Sequence, residues 1–129
     1  MSDIPSGSTG TAVLLTDQTH TAEHLGNPAV RVISTATLIV LLEEAAHNCI
    51  RRHFDDGEVS LGTKLDVRHI DAAQPGAEIV AAAVVAAKSR NRVEFDVTVT
   101  TKCGRPLMTG KHERVVVKLE RFLQSVEHK

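Results

Sequence analysis

The sequence contains no Trp and no Tyr, and its three Phe stand far apart at Phe54, Phe95 and Phe122. This scarcity argues against an aromatic platform on which nucleic-acid bases would stack. Cys49 and Cys103 are the only cysteines and form no CxxC pattern, which argues against a disulfide framework and a structural zinc site and fits a reducing cytosol. Neither sign of charge dominates: the formal net charge is -1, so nothing global directs the chain to nucleic acid or to an anionic membrane. The longest apolar stretch, Ala36 to Leu42, is far too short to span a bilayer. Residues 1–11, MSDIPSGSTGT, lack a basic segment followed by an apolar run. They read as a disordered lead-in rather than a signal peptide, leaving residues 12–129 as a single domain expected in the cytoplasm. That length suffices to bury a core, and 42% apolar with 24% charged residues is ordinary for a globular protein.

Two periodicities organise the rest. Thr35 to Phe54 has no Gly or Pro and is dense in Leu, Ala, Ile and Glu, with Ser34 suited to cap it, so it reads as one long helix. Leu38, Leu42, Ala45 and Cys49, with Ile39, Ala46 and Ile50 beside them, fill most of its circumference and predict burial on more than one side. After Asp55-Asp56-Gly57 the period falls to two. Leu61, Thr63, Leu65, Val67 and His69 are expected on one face of a strand. Glu78 to Ala87 reads as an interior strand, Val93, Phe95, Val97 and Val99 as the buried face of the next, and Leu107 to Lys118 as the last. Thr11 to Thr16 suits a short first strand, and Leu119, Phe122, Leu123 and Val126 a short closing helix. Pro75-Gly76, Ser89-Arg90-Asn91 and Cys103-Gly104 are turns short enough to make neighbouring strands antiparallel. The expected architecture is α+β: an antiparallel β-sheet wrapped around the one long central helix that can cover its apolar face.

Three segments carry a resemblance. Ser34 to Ala46 resembles the helix of the fluoroacetyl-CoA thioesterase-like branch of the hotdog-fold superfamily. Ser60-Leu61-Gly62-Thr63 with Val67-Arg68-His69 resembles the strand after it, and Gly110-Lys111-His112-Glu113-Arg114-Val115-Val116, leading to Glu120-Arg121-Phe122, resembles its last strand. The similarity runs from about Val30 to Phe122 with the elements in order. It implies a dimeric double hotdog that hydrolyses a short- or medium-chain acyl-CoA thioester, CoA being part of the substrate and no separate cofactor being needed. It places the site on Thr35, Glu43, Gly62 and His69. The residue types suit thioester hydrolysis. A carboxylate such as Glu43 can attack or can activate water, a glycine amide such as that of Gly62 can hold an oxyanion, and an imidazole such as that of His69 can manage a proton.

Spacing adds a constraint. Gly62 and His69 are about 23 Å apart on an unbroken strand, and Thr35 and Glu43 about 12 Å apart on one helix. Neither pair meets at one reacting group within one chain, so a single site using all four draws on two subunits. Antiparallel pairing of the strand with its own copy would bring Gly62 toward His69 and cover an edge, giving a homodimer or a tetramer of dimers. In the resembled family the member conferring fluoroacetate resistance carries an aromatic lid just before the helix. Gly26 to Ile33 here holds no aromatic residue, so selectivity for the fluorinated substrate is not expected. Read without the resemblance, Glu43 could as well serve an ion pair, His69 could be a hydrogen-bonded core residue, Gly62 could mark a bulge, and Thr35 could be an ordinary first-turn residue. The pairs His20/His24 and Glu43/His47 have the spacing of metal ligands on a helix but lack a third, so no metal is expected. The competing functions are a non-catalytic acyl-CoA binding hotdog protein and a hotdog hydratase or dehydratase.

Overall fold

The computed structural model describes residues 1–129. Strand β1 (Thr9–Leu15) is followed by a 3-10 turn and by helix α1 (Thr35–Ile50), which tightens into a second 3-10 turn at Arg51–His53. Four strands follow, β2 (Glu58–His69), β3 (Glu78–Ser89), β4 (Arg92–Thr101) and β5 (Pro106–Lys118), and helix α2 (Leu119–Glu127) closes the chain. All pairings are antiparallel, in the order β1-β3-β4-β5-β2, so β1 and β2 are the two edges. This is the expected hotdog arrangement except at one pairing: β2 and β3, expected to be antiparallel neighbours across Pro75-Gly76, have β4 and β5 between them, and β2 pairs with β5 instead.

Ser34 starts α1 by accepting a hydrogen bond from the Thr37 amide at 3.0 Å, which sets Thr35 in the first turn. Seven α1 residues are buried, among them Leu38, Leu42, Ala45 and Cys49. They join Ala81, Ala83 and Val85 of β3, the inward residues Val93 to Val99 of β4, and Leu107 and Met108 of β5 in one core. Each fully buried Leu, Val or Phe contributes about 1.5–3 kcal/mol. The helix lies chiefly over β1 and β3. Gly10 permits this closeness: a Cβ there would stand 2.5 Å from the Cys49 amide nitrogen. The helix stands farther from β5 and β2, and the side chains of the candidate site fill the space between.

Two further expectations are corrected. Residues 1–11 are packed rather than loose: Ile4 is 3% exposed, Gly7 donates to the Val85 carbonyl, and Thr9 already begins β1. A single isoleucine among Ser and Gly finds a core slot that composition does not reveal. In β2, the ladder to β5 pairs Gly62 with Arg114 but Lys64 with Glu113, so Thr63 is an extra, bulged residue. The bulge reverses the facing upstream of it. Ser60 and Gly62, not Leu61 and Thr63, share the inner face with Leu65, Val67 and His69, which stand opposite His112, Gly110 and Met108.

Candidate active site

The four residues singled out in the sequence form two pairs within one chain. Thr35 Oγ1, in the first turn of α1, lies 2.8 Å from His69 Nδ1 at the end of β2. Further along the same space, the Glu43 carboxylate lies against β2 at Gly62, where an added Cβ would be 2.5 Å from Glu43 Oε2. Glycine therefore leaves the room that the carboxylate occupies. The two pairs stand apart by two helical turns, about 12 Å, and by six ladder steps of strand, about 20 Å.

The cation beside Glu43 within the chain is Arg114, with its Nη1 3.3 Å from Glu43 Oε2; His69 is engaged with Thr35 instead. Arg114 projects inward from β5, is 8% exposed, and lies in a network that satisfies its buried fork. Nε donates to Ser60 Oγ at 2.8 Å, Nη2 to the Ser60 carbonyl at 3.0 Å, and Nη1 to His112 Nε2 at 3.2 Å. Because arginine only donates, His112 Nε2 must accept. The other ring nitrogen, Nδ1, then carries the proton and donates to the Lys64 carbonyl at 2.9 Å. His112 is thus held neutral, and its burial lowers its pKa below the ordinary value, with the Arg114 charge acting in the same direction against the Lys64 hydrogen bond. Burial also lowers the Arg114 guanidinium, a shift opposed by Glu43. His47, one turn beyond Glu43, places Nδ1 2.8 Å from Ser60 Oγ.

Arg114, His112 and Ser60, which carry the resemblance without a role of their own, and His47, weighed only as a metal ligand, are functional candidates that motif reading did not assign. Alternation back from Val116 does place Arg114 and His112 on the inner face of β5, where a charged side chain is costly unless paired. No group of three or more His, Cys, Asp or Glu side chains is disposed to hold a metal ion, and no helix is long and apolar enough to cross a membrane. A cavity of about 140 Å³ lies behind His112 between Lys64, Glu94 and Lys111, and is lined by none of Thr35, Glu43, Gly62 and His69. Ahead of α1, the amide of Ala22 bonds the Val32 carbonyl and that of Glu23 the Val30 carbonyl, forming a small hairpin that carries Leu25, 58% exposed, and no Phe, Tyr or Trp.

Residues 16–120 match the family described as fluoroacetyl-CoA-specific thioesterase. A fluoroacetyl-CoA thioesterase from Streptantibioticus cattleyicolor is 30% identical over 98 residues, which are 76% of this chain and 70% of that one. A solved fluoroacetyl-CoA thioesterase is similar with a TM-score of 0.89 at 26% identity, over 98% of each chain. A thioesterase superfamily member from Thermus thermophilus, 24% identical, is similar in fold with a TM-score of 0.91 over 99% of this chain and 94% of that one.

Proposed function

The chain belongs to the fluoroacetyl-CoA-specific thioesterase family, and from that membership we propose that it hydrolyses a short- or medium-chain acyl-CoA to the free acid and CoA. The observation that carries this reading is the Glu43 carboxylate held against the side-chain-free position of β2 by a buried arginine. Acting as a base, Glu43 takes a proton from water while the water oxygen bonds the thioester carbon. Acting as a nucleophile, it bonds that carbon itself, and water then hydrolyses the mixed anhydride. In either route the carbonyl electrons move onto oxygen, where the Gly62 amide is the proposed donor. Collapse breaks the C–S bond, and the thiolate leaves with a proton supplied by His69, whose ring Thr35 orients.

The working site combines Glu43 and Gly62 of one copy with Thr35 and His69 of a second. Edge strand β2 supports this: Leu65 on its inner face is 40% exposed and Val40 on the facing helix 65% exposed, a combination that a second copy would cover. The Thr63 bulge makes the pairing consistent. With it, Gly62 and His69 face the same side six ladder steps apart, so they come opposite one another when the twofold axis passes Asp66.

The bare hairpin ahead of α1 supports a substrate range without strong preference for the fluorinated acyl group. A panel of acetyl-, fluoroacetyl- and longer acyl-CoA esters, followed by free-thiol release, tests both parts. Turnover is expected on short or medium chains, with fluoroacetyl-CoA within about tenfold of acetyl-CoA, the range of discrimination that one small group supplies. No release from any ester would overturn hydrolysis in favour of binding alone, and a large fluoroacetyl preference would overturn the argument from the hairpin.

A further inference from the structure

One turn beyond Glu43 the same face of α1 presents His47, and the two side chains reach one guanidinium, Glu43 directly and His47 through Ser60. We propose that Ser60 and His47 are positioning residues for the Glu43 carboxylate, acting through Arg114; the inference rests on the role assigned to Glu43 above.

The hydrogen bonds define a direction. Ser60 takes two donors of Arg114, Nε on its hydroxyl and Nη2 on its carbonyl, and so fixes the plane of the fork from one residue of β2. His112 fixes Nη1 from β5. Glu43 is the partner contributed by the helix and makes the longest bond, 3.3 Å, so its carboxylate takes the position that the fork dictates. Having accepted Nε–H, the Ser60 hydroxyl has its own hydrogen to give, and His47 Nδ1 at 2.8 Å is the acceptor. This requires the His47 tautomer with its proton on Nε2.

A proton on Nδ1 would remove that acceptor and set a second cation beside Arg114. Most of the groups around His47 oppose this, Glu43 alone favouring it. Arg114 approaches from β5, Arg51 lies one turn on, Glu43 lies one turn back, and the Phe54 ring meets the imidazole edge-on at 5.7 Å. Burial first, then the charges of Arg114 and Arg51, hold the imidazole below its ordinary range. The ring is therefore neutral near neutral pH, as the relay needs.

The test uses the full chain with acetyl-CoA as probe. Ser60→Ala and His47→Leu remove the two links, while Ser60→Thr and His47→Gln retain a hydroxyl and an acceptor. Each removal should lower kcat by roughly tenfold with KM little changed, the signature of misplacing a group that acts in the transition state. The conservative variants should recover most of the rate. In the Glu43→Gln background neither removal should cost anything further, because the carboxylate being positioned is gone. The imidazole resonances of His47 should show the Nε2–H tautomer in the parent and a mixture in Ser60→Ala. If Ser60→Ala folds poorly, His47→Leu at its half-exposed site carries the comparison alone. Parental kcat in the removal variants overturns the proposal, as do losses that multiply with that of Glu43→Gln. A fully active Glu43→Gln enzyme would instead overturn the role of Glu43, and this inference with it.

Discussion

Thr35 Oγ1 and His69 Nδ1 meet at 2.8 Å, tying the first turn of the central helix to the last residue of an edge strand. With Nδ1 engaged, Nε2 is the nitrogen left to exchange a proton with substrate.

His69→Ala should therefore lower kcat by about a hundredfold, the lower range for a lost acid–base group. Thr35→Val, which keeps the shape and loses the hydroxyl, should cost roughly tenfold in kcat at nearly constant KM, and Thr35→Ser should remain close to the parent. Steady-state thiol release decides it: parental turnover in His69→Ala would remove the imidazole from the chemistry.

Glu43→Gln keeps size and a hydrogen-bond acceptor for Arg114 but is neither base nor good nucleophile. Turnover should drop about a hundredfold or more while acyl-CoA still binds and the melting temperature stays near that of the parent. Glu44, on an exposed face of α1, provides the control, and Glu44→Gln should change little. Equal losses in the two variants would assign the carboxylate wrongly.

Two glycines should respond oppositely to one added methyl group. At Gly62 the new Cβ would meet the far end of the flexible Glu43 side chain, so Gly62→Ala should fold and lose activity. At Gly10 it would meet the helix backbone at Cys49, so Gly10→Ala should destabilise by about 1–3 kcal/mol or more. Thermal melts and thiol release on both variants separate the effects; an active Gly62→Ala enzyme would show that the carboxylate does not need that space.

Burial holds the pKa of His112 below the ordinary value of 6.5, and burial and neighbouring cations do the same for His47. As pH falls below about 6.5 the unfolded chain binds protons that the folded chain refuses, so stability is full above that value and declines below it. Melting temperature should fall from about pH 7 to about pH 5, and the fall should be shallower in His112→Asn, which can still hydrogen-bond but does not titrate. An unchanged slope would show that His112 is not the group responsible.

Asp66 is the residue proposed to face its own copy, at the Cα separation of about 4.5–5.5 Å that opposed antiparallel residues adopt. Asp66→Cys, with exposed Cys103 changed to Ser, should oxidise to a covalent dimer, and Asp96→Cys should not. Glu43→Gln and His69→Ala copies refolded together should regain about a quarter of parental activity, because each mixed dimer holds one intact site. No cross-link and no recovery would confine the site to one chain.

Much of the fold is legible in the sequence because periodicity reports it. The apolar band of α1, its capping Ser34 and the alternation of Val93 to Val99 are local patterns with one reading. The bulge at Thr63 is only half legible: Gly62 offers a bulge as one of its readings, but nothing in Leu61-Gly62-Thr63 fixes an extra residue there, and counting by twos then misplaces Ser60 and Gly62. The Thr35–His69 contact joins residues 34 apart and exists only once the sheet has curled. Arg114 is half legible: its parity is correct, but Glu43 as its partner, 71 residues away, is a tertiary fact.

Thr63 also bears on how this gene tolerates changes in length. It is the one residue of β2 that the ladder to β5 does not count, although its hydroxyl is anchored 2.6 Å from Glu113 Oε2. Loss of its codon would draw Gly62 and Lys64 into plain succession and leave Ser60, Gly62, Leu65, Val67 and His69 all pointing as they do now. Loss of the codon for Val67, four residues past the bulge, would turn either His69 or Leu65 away from the inner face, because Arg68 or Asp66 would take the vacated inward place. Single-codon deletions in β2 should therefore be survivable at the bulge and ruinous a few positions away, a contrast that a library of in-frame deletions would expose.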